Sequence, residues 1–132
     1  MTPIKLSRVE APLRVTIQLL ADFNDRDRLA MKKHFNEAIV LHRHLPVPES
    51  GKSSGINEVM DYFTSLFTHW PEIKLEAVDL FGMGNRSVLQ WETTCSKQGM
   101  GQKTVSGVAL FTLTRESITE IHIYSPGAQQ TQ

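Results

Sequence analysis

Residues 35–46 read FNEAIVLHRHLP, and this stretch decides how the rest of the chain is organised. It begins as the end of a polar helix and continues as a strand, Ala38–His44. Successive side chains of a strand point to opposite faces, so the segment presents two different surfaces. Two imidazoles on one of them form either the wall of a pocket or an ordinary polar face. The two faces are Ile39, Leu41 and Arg43, and Val40, His42 and His44.

Two helices are predicted before this strand. The first begins near Glu10, with Pro12 in its first turn, where the missing N–H has no helical partner to lose. Its apolar residues recur at helical spacing, which predicts a buried face. Asp25 is placed to cap a second, short helix that ends near His34. The spaced apolar residues of the first helix are Leu13, Ile17 and Leu20.

The segment after the strand contains a loop at 46–54, a third helix and then strands. The third helix carries the strongest amphipathic pattern of the chain and ends at Pro71. Beyond Pro71 the pattern changes to the two-residue repeat of strands, which we predict at about 73–81, 88–96, 104–114 and 118–124. The apolar residues of the third helix are Ile56, Val59, Met60, Phe63, Leu66, Phe67 and Trp70.

The predicted order is ααβαββββ, with helices first and an antiparallel meander last, which indicates an α+β fold. The 132 residues fit a single domain. We expect its core to span about 10–125, with loose termini at 1–8 and 126–132.

Composition excludes several classes of function. Fourteen basic and fourteen acidic residues give a net charge of zero, so no basic excess is present to attract nucleic acid or an anionic membrane. No apolar run is long enough to span a bilayer, and the first residues lack the apolar region of a signal peptide. The single cysteine, Cys95, has no internal disulfide partner. We therefore expect a cytoplasmic protein.

The order of elements, together with three segments, resembles the SnoaL-like branch of the nuclear transport factor 2-like superfamily. The segments are FNDRDRLAMKKHFNEAIVLH, the Ser54-Gly55-Ile56 start of a helix that ends at Trp70-Pro71, and the closing ITEIHIY. The resemblance covers about residues 10–125. It implies a cystatin-like cone in which a strongly curved antiparallel sheet wraps around helices and leaves an open mouth.

The resemblance does not transfer a known reaction. Ketosteroid isomerase has a general-base aspartate where this chain has His42, a second aspartate where it has Ala109, and a tyrosine near Leu19. Its oxyanion hole is thus absent. SnoaL-like cyclases use a late-strand aspartate, and none follows Asp79 here. The Asp-Arg-Asp cluster of limonene-epoxide hydrolases cannot be assembled either.

His42 is the predicted catalytic acid or base, because imidazole transfers protons near neutral pH and its strand face is expected to point into the cone. Asp79 is a second candidate, with a water-exposed strand residue as the simpler interpretation. Gly107 and Ala109 remove side-chain volume from an inward strand face, which predicts space for a ligand. The remaining expected pocket residues are Val40, His44, Met60, Phe63 and Trp91.

No metal site and no cofactor are predicted. His42 and His44 lie within reach of a shared ligand, but a zinc site needs a third protein ligand and the spacing of the other candidates supplies none. Those candidates are His34, His69 and Cys95.

The late strands carry apolar residues on both faces, so we expect both faces to be covered. His122 and Tyr124 would then face outward if Ile121 and Ile123 face inward. The outer face is expected to form a homodimer; its apolar residues are Val78, Leu80, Val108 and Leu110.

Two functions remain open from the sequence. One is an isomerase, cyclase, dehydratase or hydrolase that uses His42 on an apolar or partly polar small molecule in the cone. The alternative is a non-catalytic ligand-binding or dimerisation module of the same fold.

Overall fold

The structure is a computed structural model that describes residues 10–96, 101–126 and 128–130. The N-terminal arm expected at 1–8 lies outside these ranges, as does most of the turn predicted at 97–103. Three helices and seven strands follow one another in the described chain. They are α1 Ala11–Asn24, α2 Arg28–Lys33, β1 Phe35–His44, β2 Gly51–Ser54, α3 Ile56–His69, β3 Glu76–Met83, β4 Arg86–Ser96, β5 Gln102–Thr114, β6 Ser117–Tyr124 and β7 Ala128–Gln130.

The predicted α+β class and the order of the eight expected elements are confirmed, and two short strands are added. β2 lies in the segment predicted to be a loop and pairs antiparallel with β1, with Leu41 opposite Ser53. β7 lies in the tail predicted to be loose and pairs antiparallel with β5. Both additions are short and polar, so no alternation of apolar residues marks them in the sequence.

The strands form one sheet in the order β2-β1-β6-β5-β4-β3, with β7 paired to β5. The pairs are antiparallel except β1 with β6, which run parallel with His42 opposite His122. The expected antiparallel meander is formed by β3 to β6, and the parallel pair joins it to β1. A parallel pair needs a long connection, and the chain between β1 and β6 supplies one through α3 and four strands.

Shifts in strand register accompany the curvature of the sheet. They occur on β1 between Phe35 and Val40, on β3 between Ala77 and Asp79, and on the β5–β6 pair between Thr112 and Leu113. An extra residue in one strand bends it and increases the local twist. The sheet can thereby wrap around the helices instead of lying flat.

We call the side of the sheet that faces the helices the inner face, and the opposite side the outer face. Inner-face side chains pack with α1, α2 and α3 into a single core. Ile39, Leu41 and Ile118 are fully buried in it. The core members from β4 to β6 are Leu89, Trp91, Ala109, Phe111, Leu113, Ile118 and Ile121.

Val40, His42 and His44 lie on the outer face, so the expectation that they face the interior is wrong. Ile39 and Leu41 have no exposed surface, and strand alternation then forces their neighbours outward. Only one face of β1 can pack into the core, and the face with the larger apolar pair, Ile39 and Leu41, occupies it.

The register shift on β3 changes which residues of that strand face outward. Leu80 lies opposite Leu89 and packs against the core, so its predicted place on the outer face is wrong. Phe81 and Met83 lie outward instead, opposite Val88 and Arg86. Both are well exposed, and so is Val78 beside the shift.

Polar contacts fix the helices against the sheet. The Thr16 hydroxyl on α1 donates to the Pro12 carbonyl at 2.7 Å and shares a hydrogen bond of 2.6 Å with the Ser87 hydroxyl on β4. α2 is capped by Asp27, whose carboxylate accepts from the Ala30 N–H, and not by Asp25 as predicted. Within the described ranges, no helix combines the length and apolar character needed to cross a membrane.

Candidate functional site

The candidate binding site is a cavity of about 600 Å³ between α1, α3 and the inner face of the sheet. The cavity exists because core side chains do not fill the space between the helices and the sheet. Apolar side chains supply most of its wall. Glu49 and Lys103 are its formally charged wall residues among those described. The aromatic wall residues are Phe23, Tyr62, Phe63, Trp70, Trp91 and Phe111.

The structure places three of the predicted pocket residues on the cavity wall: Phe63, Trp91 and Ala109. Met60 is half-buried and packs against the core without lining the cavity. Val40 and His44 lie across the sheet on the outer face. The space predicted above Gly107 is occupied, because the Trp91 indole crosses it from the opposite strand position.

Helix α3 presents a different edge to the cavity from the one predicted. Tyr62, Leu66 and Trp70 line it at spacings of four residues, beside Phe63. Side chains four apart share one face of a helix, so the spacing was available in the sequence. The helix carries apolar residues over a broad arc, and its rotation against β1 decides which edge borders the cavity.

Tyr62 and Arg43 form the main polar feature near the cavity. The Arg43 guanidinium lies 4.7 Å from the centre of the Tyr62 ring and donates from Nη1 to the Ser53 hydroxyl at 2.5 Å. Burial raises the pKa of the Tyr62 hydroxyl, while the Arg43 charge partly offsets this rise and Glu49 adds to it. The hydroxyl therefore stays protonated at neutral pH and can donate or accept a hydrogen bond.

The wall hydroxyls of Thr16 and Thr93 already have partners. The Thr16 hydroxyl is engaged with Pro12 and Ser87, and the Thr93 hydroxyl donates to the Lys74 carbonyl. A ligand that makes no hydrogen bond to these hydroxyls loses little binding free energy, because their hydrogen bonds are already made within the protein. Among the wall hydroxyls of Thr16, Tyr62 and Thr93, that of Tyr62 is thus the best placed for a polar contact with a ligand.

A second cluster lies on the outer face, where β1 and β6 run side by side. The rings of His42 and His122 stack with centroids 4.1 Å apart and planes 3° from parallel. The Nε2 atom of His42 lies 3.3 Å from one Glu120 carboxylate oxygen, and that of His122 lies 3.2 Å from the other. One ligand atom from each of the three side chains lies within 4.8 Å of the other two, a spacing at which the three residues can share a metal ion.

His44 and Tyr124 extend this cluster along the strands. Nε2 of His44 lies 2.9 Å from Nδ1 of His122, and the His44 ring stacks on Tyr124 with centroids 4.3 Å apart. We call His42, His44, Glu120, His122 and Tyr124 the outer cluster. The sequence indicated that His122 faces outward, but the parallel pairing that places it beside His42 carries no local signal.

Partial burial raises the pKa of the Glu120 carboxyl, but hydrogen bonds and positive charge from His122, and then His42, outweigh this and bring the pKa below its ordinary value. Glu120 is therefore ionised at neutral pH. Asp79, the other predicted catalytic residue, is exposed on β3, where its carboxylate accepts from the Leu80 N–H at 2.9 Å. It does not line the cavity.

The family model of the SnoaL-like domain matches residues 17–121, most of the chain. No curated protein matches the chain. The solved structures described next are distant from the chain in sequence, so they inform on the fold alone.

Three structures illustrate the likeness. A protein described as a SnoaL-like polyketide cyclase from Jannaschia sp. CCS1 is 16% identical, with a TM-score of 0.77 over 95% of this chain and 91% of its own. Bal32a, from a soil-derived mobile gene cassette, is 14% identical, with a TM-score of 0.80 over 87% and 88%. TerC, co-crystallised with polyporic acid, is 14% identical, with a TM-score of 0.77 over 88% and 92%.

Proposed function

We propose that this chain, which belongs to the SnoaL-like domain family, binds a small, largely apolar molecule in the cavity between its helices and the inner face of its sheet. The observation that carries the proposal is the cavity itself. Its volume of about 600 Å³ lies within the range of about 300–1,000 Å³ usual for ligand pockets. Protein interiors are normally packed closely, with few voids larger than a water molecule.

The wall chemistry favours a ring-containing ligand. Aromatic side chains border the cavity from both the helices and the sheet, and they offer faces and edges to a flat molecule. Tyr62 offers one hydroxyl to a carbonyl or hydroxyl of the ligand. The co-crystallisation of the structural neighbour TerC with polyporic acid supports a small organic molecule as the occupant.

Binding without proton transfer by histidine is the form of the proposal that the wall supports best. His42 lies on the outer face, so the acid or base role predicted for it on a cavity ligand is withdrawn. Among the described wall residues there is no histidine and no aspartate. The described wall residues that could exchange a proton are Tyr62, Glu49 and Lys103, and the raised pKa of Tyr62 makes its hydroxyl a hydrogen-bond donor first.

The test is a thermal-shift screen of small aromatic and aliphatic molecules against the protein and two variants. Ala109→Phe places a ring in the cavity, and Leu110→Phe makes a similar change one residue along β5 on the outer face. We expect several aromatic molecules to raise the melting temperature of the protein and of Leu110→Phe, but not of Ala109→Phe. Equal responses in Ala109→Phe and Leu110→Phe would refute the cavity as the binding site.

We further propose that the chain forms a homodimer in the cytoplasm. Its single cysteine suits a reducing compartment. For the dimer, the support is the apolar end of the outer face, where Phe81 is 51% and Met83 78% exposed beside half-buried Val88 and Leu110. Zero net charge leaves association unopposed.

Light scattering of the protein at micromolar concentration tests the dimer. The expected mass is twice 14.9 kDa, and the double change Phe81→Lys with Met83→Lys should halve it, because like charges would face each other across a two-fold interface. Asp79→Lys is the matched control, because it adds a lysine on the same strand without removing an apolar residue. If the contact centres on the apolar residues, this variant should keep the dimer mass. A monomeric mass for the unchanged protein would end the dimer proposal.

A further inference from the structure

The outer cluster is explained neither by the cavity nor by the fold. Parallel pairing of β1 with β6 brings His42 directly opposite His122, and Glu120 shares their face two residues earlier on β6. The two imidazoles stack, so their Nε2 atoms reach the same carboxylate from neighbouring strands. Two imidazoles and a carboxylate form a common ligand set for zinc with one position left open.

We propose that His42, Glu120 and His122 bind one divalent transition-metal ion of the Zn²⁺ class on the outer face of the sheet. Zinc lies about 2.0–2.2 Å from nitrogen and oxygen ligands, so two ligand atoms of a tetrahedral site are about 3.4 Å apart. The two nitrogen–oxygen separations, 3.3 Å from His42 to one Glu120 oxygen and 3.2 Å from His122 to the other, are each close to that edge. A direct charged hydrogen bond would be shorter, about 2.7–2.9 Å.

The remaining separation within the site is small enough to close. One ligand atom from each of the three side chains lies within 4.8 Å of the other two, and binding requires the stacked imidazole rings to turn about their side-chain bonds until both nitrogens point at one ion. Two neutral imidazoles and one carboxylate carry a charge of −1, which attracts a divalent cation. The three ligand residues lie on two adjacent strands of one sheet, so binding requires little ordering of the backbone.

His44 acts as a positioning residue for His122. Its Nε2 lies 2.9 Å from Nδ1 of His122, which leaves Nε2 of His122 for the ion. A histidine ligand commonly donates its other ring N–H to a neighbouring acceptor, which fixes the ring and its tautomer. Tyr124 stacks on the His44 ring and limits its rotation.

The site is open to solvent and separate from the cavity. The exposed fractions of the three side chains are 25% for His42, 42% for Glu120 and 26% for His122. The fourth coordination position therefore takes a water molecule. Because the cavity lies across the sheet, metal binding and ligand binding are expected to be independent. Binding of the ion can therefore be measured directly, without an assay of activity.

The experiment is calorimetric titration of Zn²⁺ into the full chain, after removal of any affinity tag and treatment with a chelator. We expect one ion per chain, and a Co²⁺-loaded sample should show the visible absorption of a tetrahedral site. His42→Gln and His122→Gln should each lower the affinity more than about 100-fold, and His44→Phe by about 10–100-fold with the stoichiometry retained. His69→Gln, an exposed histidine at the end of α3, should leave it unchanged.

Thermal unfolding of the same samples separates loss of ligands from loss of fold. Without metal, His42→Gln should melt close to the unchanged protein; with Zn²⁺, the unchanged protein and His69→Gln should gain the most stability, His44→Phe less, and His42→Gln the least. Undiminished affinity in the double variant His42→Gln with His122→Gln would overturn the site. So would one ion per two chains, which would place the ion between copies, or an equal loss of affinity in His69→Gln.

Discussion

The inner and outer faces of the sheet are built from the same strands but differ in what their side chains do. On β1 the inner residues Ile39 and Leu41 are fully buried, whereas their neighbour His42 is 25% exposed and joins other polar groups. The inner face supplies burial and then a cavity; the outer face supplies nitrogen and oxygen ligands. Alternation along a strand thus lets one segment stabilise the fold on one side and carry separate chemistry on the other.

The largest expected effect is a difference in stability between neighbours on β1. Leu41→Ala removes a side chain with no exposed surface and should lower the free energy of unfolding by about 2–5 kcal/mol. His42→Ala should cost less than about 1 kcal/mol, since it changes a partly exposed outer residue. Urea unfolding of both variants measures the difference; equal losses would mean that the two faces are not distinguished as described.

The next effect separates two small residues of β5. Gly107→Ala adds a methyl group that would clash with the Trp91 ring and with the Tyr124 backbone, so we expect a loss of about 1–3 kcal/mol. Ser106→Ala, exposed and adjacent, should change stability by less than about 0.5 kcal/mol. If Gly107→Ala were harmless in urea unfolding, the space above Gly107 would belong to the cavity after all.

The sequence predicted the fold class well because its strongest signals are long and periodic. The helical repeat of α3 up to Trp70, and the strand repeat after Pro71, identify elements regardless of their partners. Phe63, Trp91 and Ala109 were placed near a pocket for the same reason, since helix spacing and strand parity both follow from local geometry.

The face of β1 and the outer cluster could not be predicted in the same way. Parity groups Val40 with His42 and His44, but whether that group faces in or out depends on the helices that pack on Leu41. The neighbours of His42 depend on the parallel pairing with β6, between segments about 80 positions apart. A register shift on β3 also moved Leu80 inward, and no residue of that strand marks such a shift.

The smallest expected effect is the pH dependence contributed by Tyr62. Burial raises its pKa above the ordinary value of 10.0, so the folded state holds the proton more tightly than the unfolded chain. The corresponding stability is fully present below pH 10.0 and is lost as the pH rises through the higher folded pKa. In urea unfolding between neutral and alkaline pH, Tyr62→Phe should lose stability less steeply than the unchanged protein. Identical alkaline slopes would show that Tyr62 is not buried against the cavity.

The most direct test of the separation between the two faces is a pair of titrations followed by NMR. The chain has two tryptophans, and both Trp70 and Trp91 line the cavity, so their indole N–H signals report on it. An aromatic molecule found in the thermal-shift screen should move both indole signals and leave the imidazole signals of His42 and His122 in place; Zn²⁺ should do the reverse. If the aromatic molecule moved the imidazole signals and left both indoles unchanged, the cavity would not be the binding site.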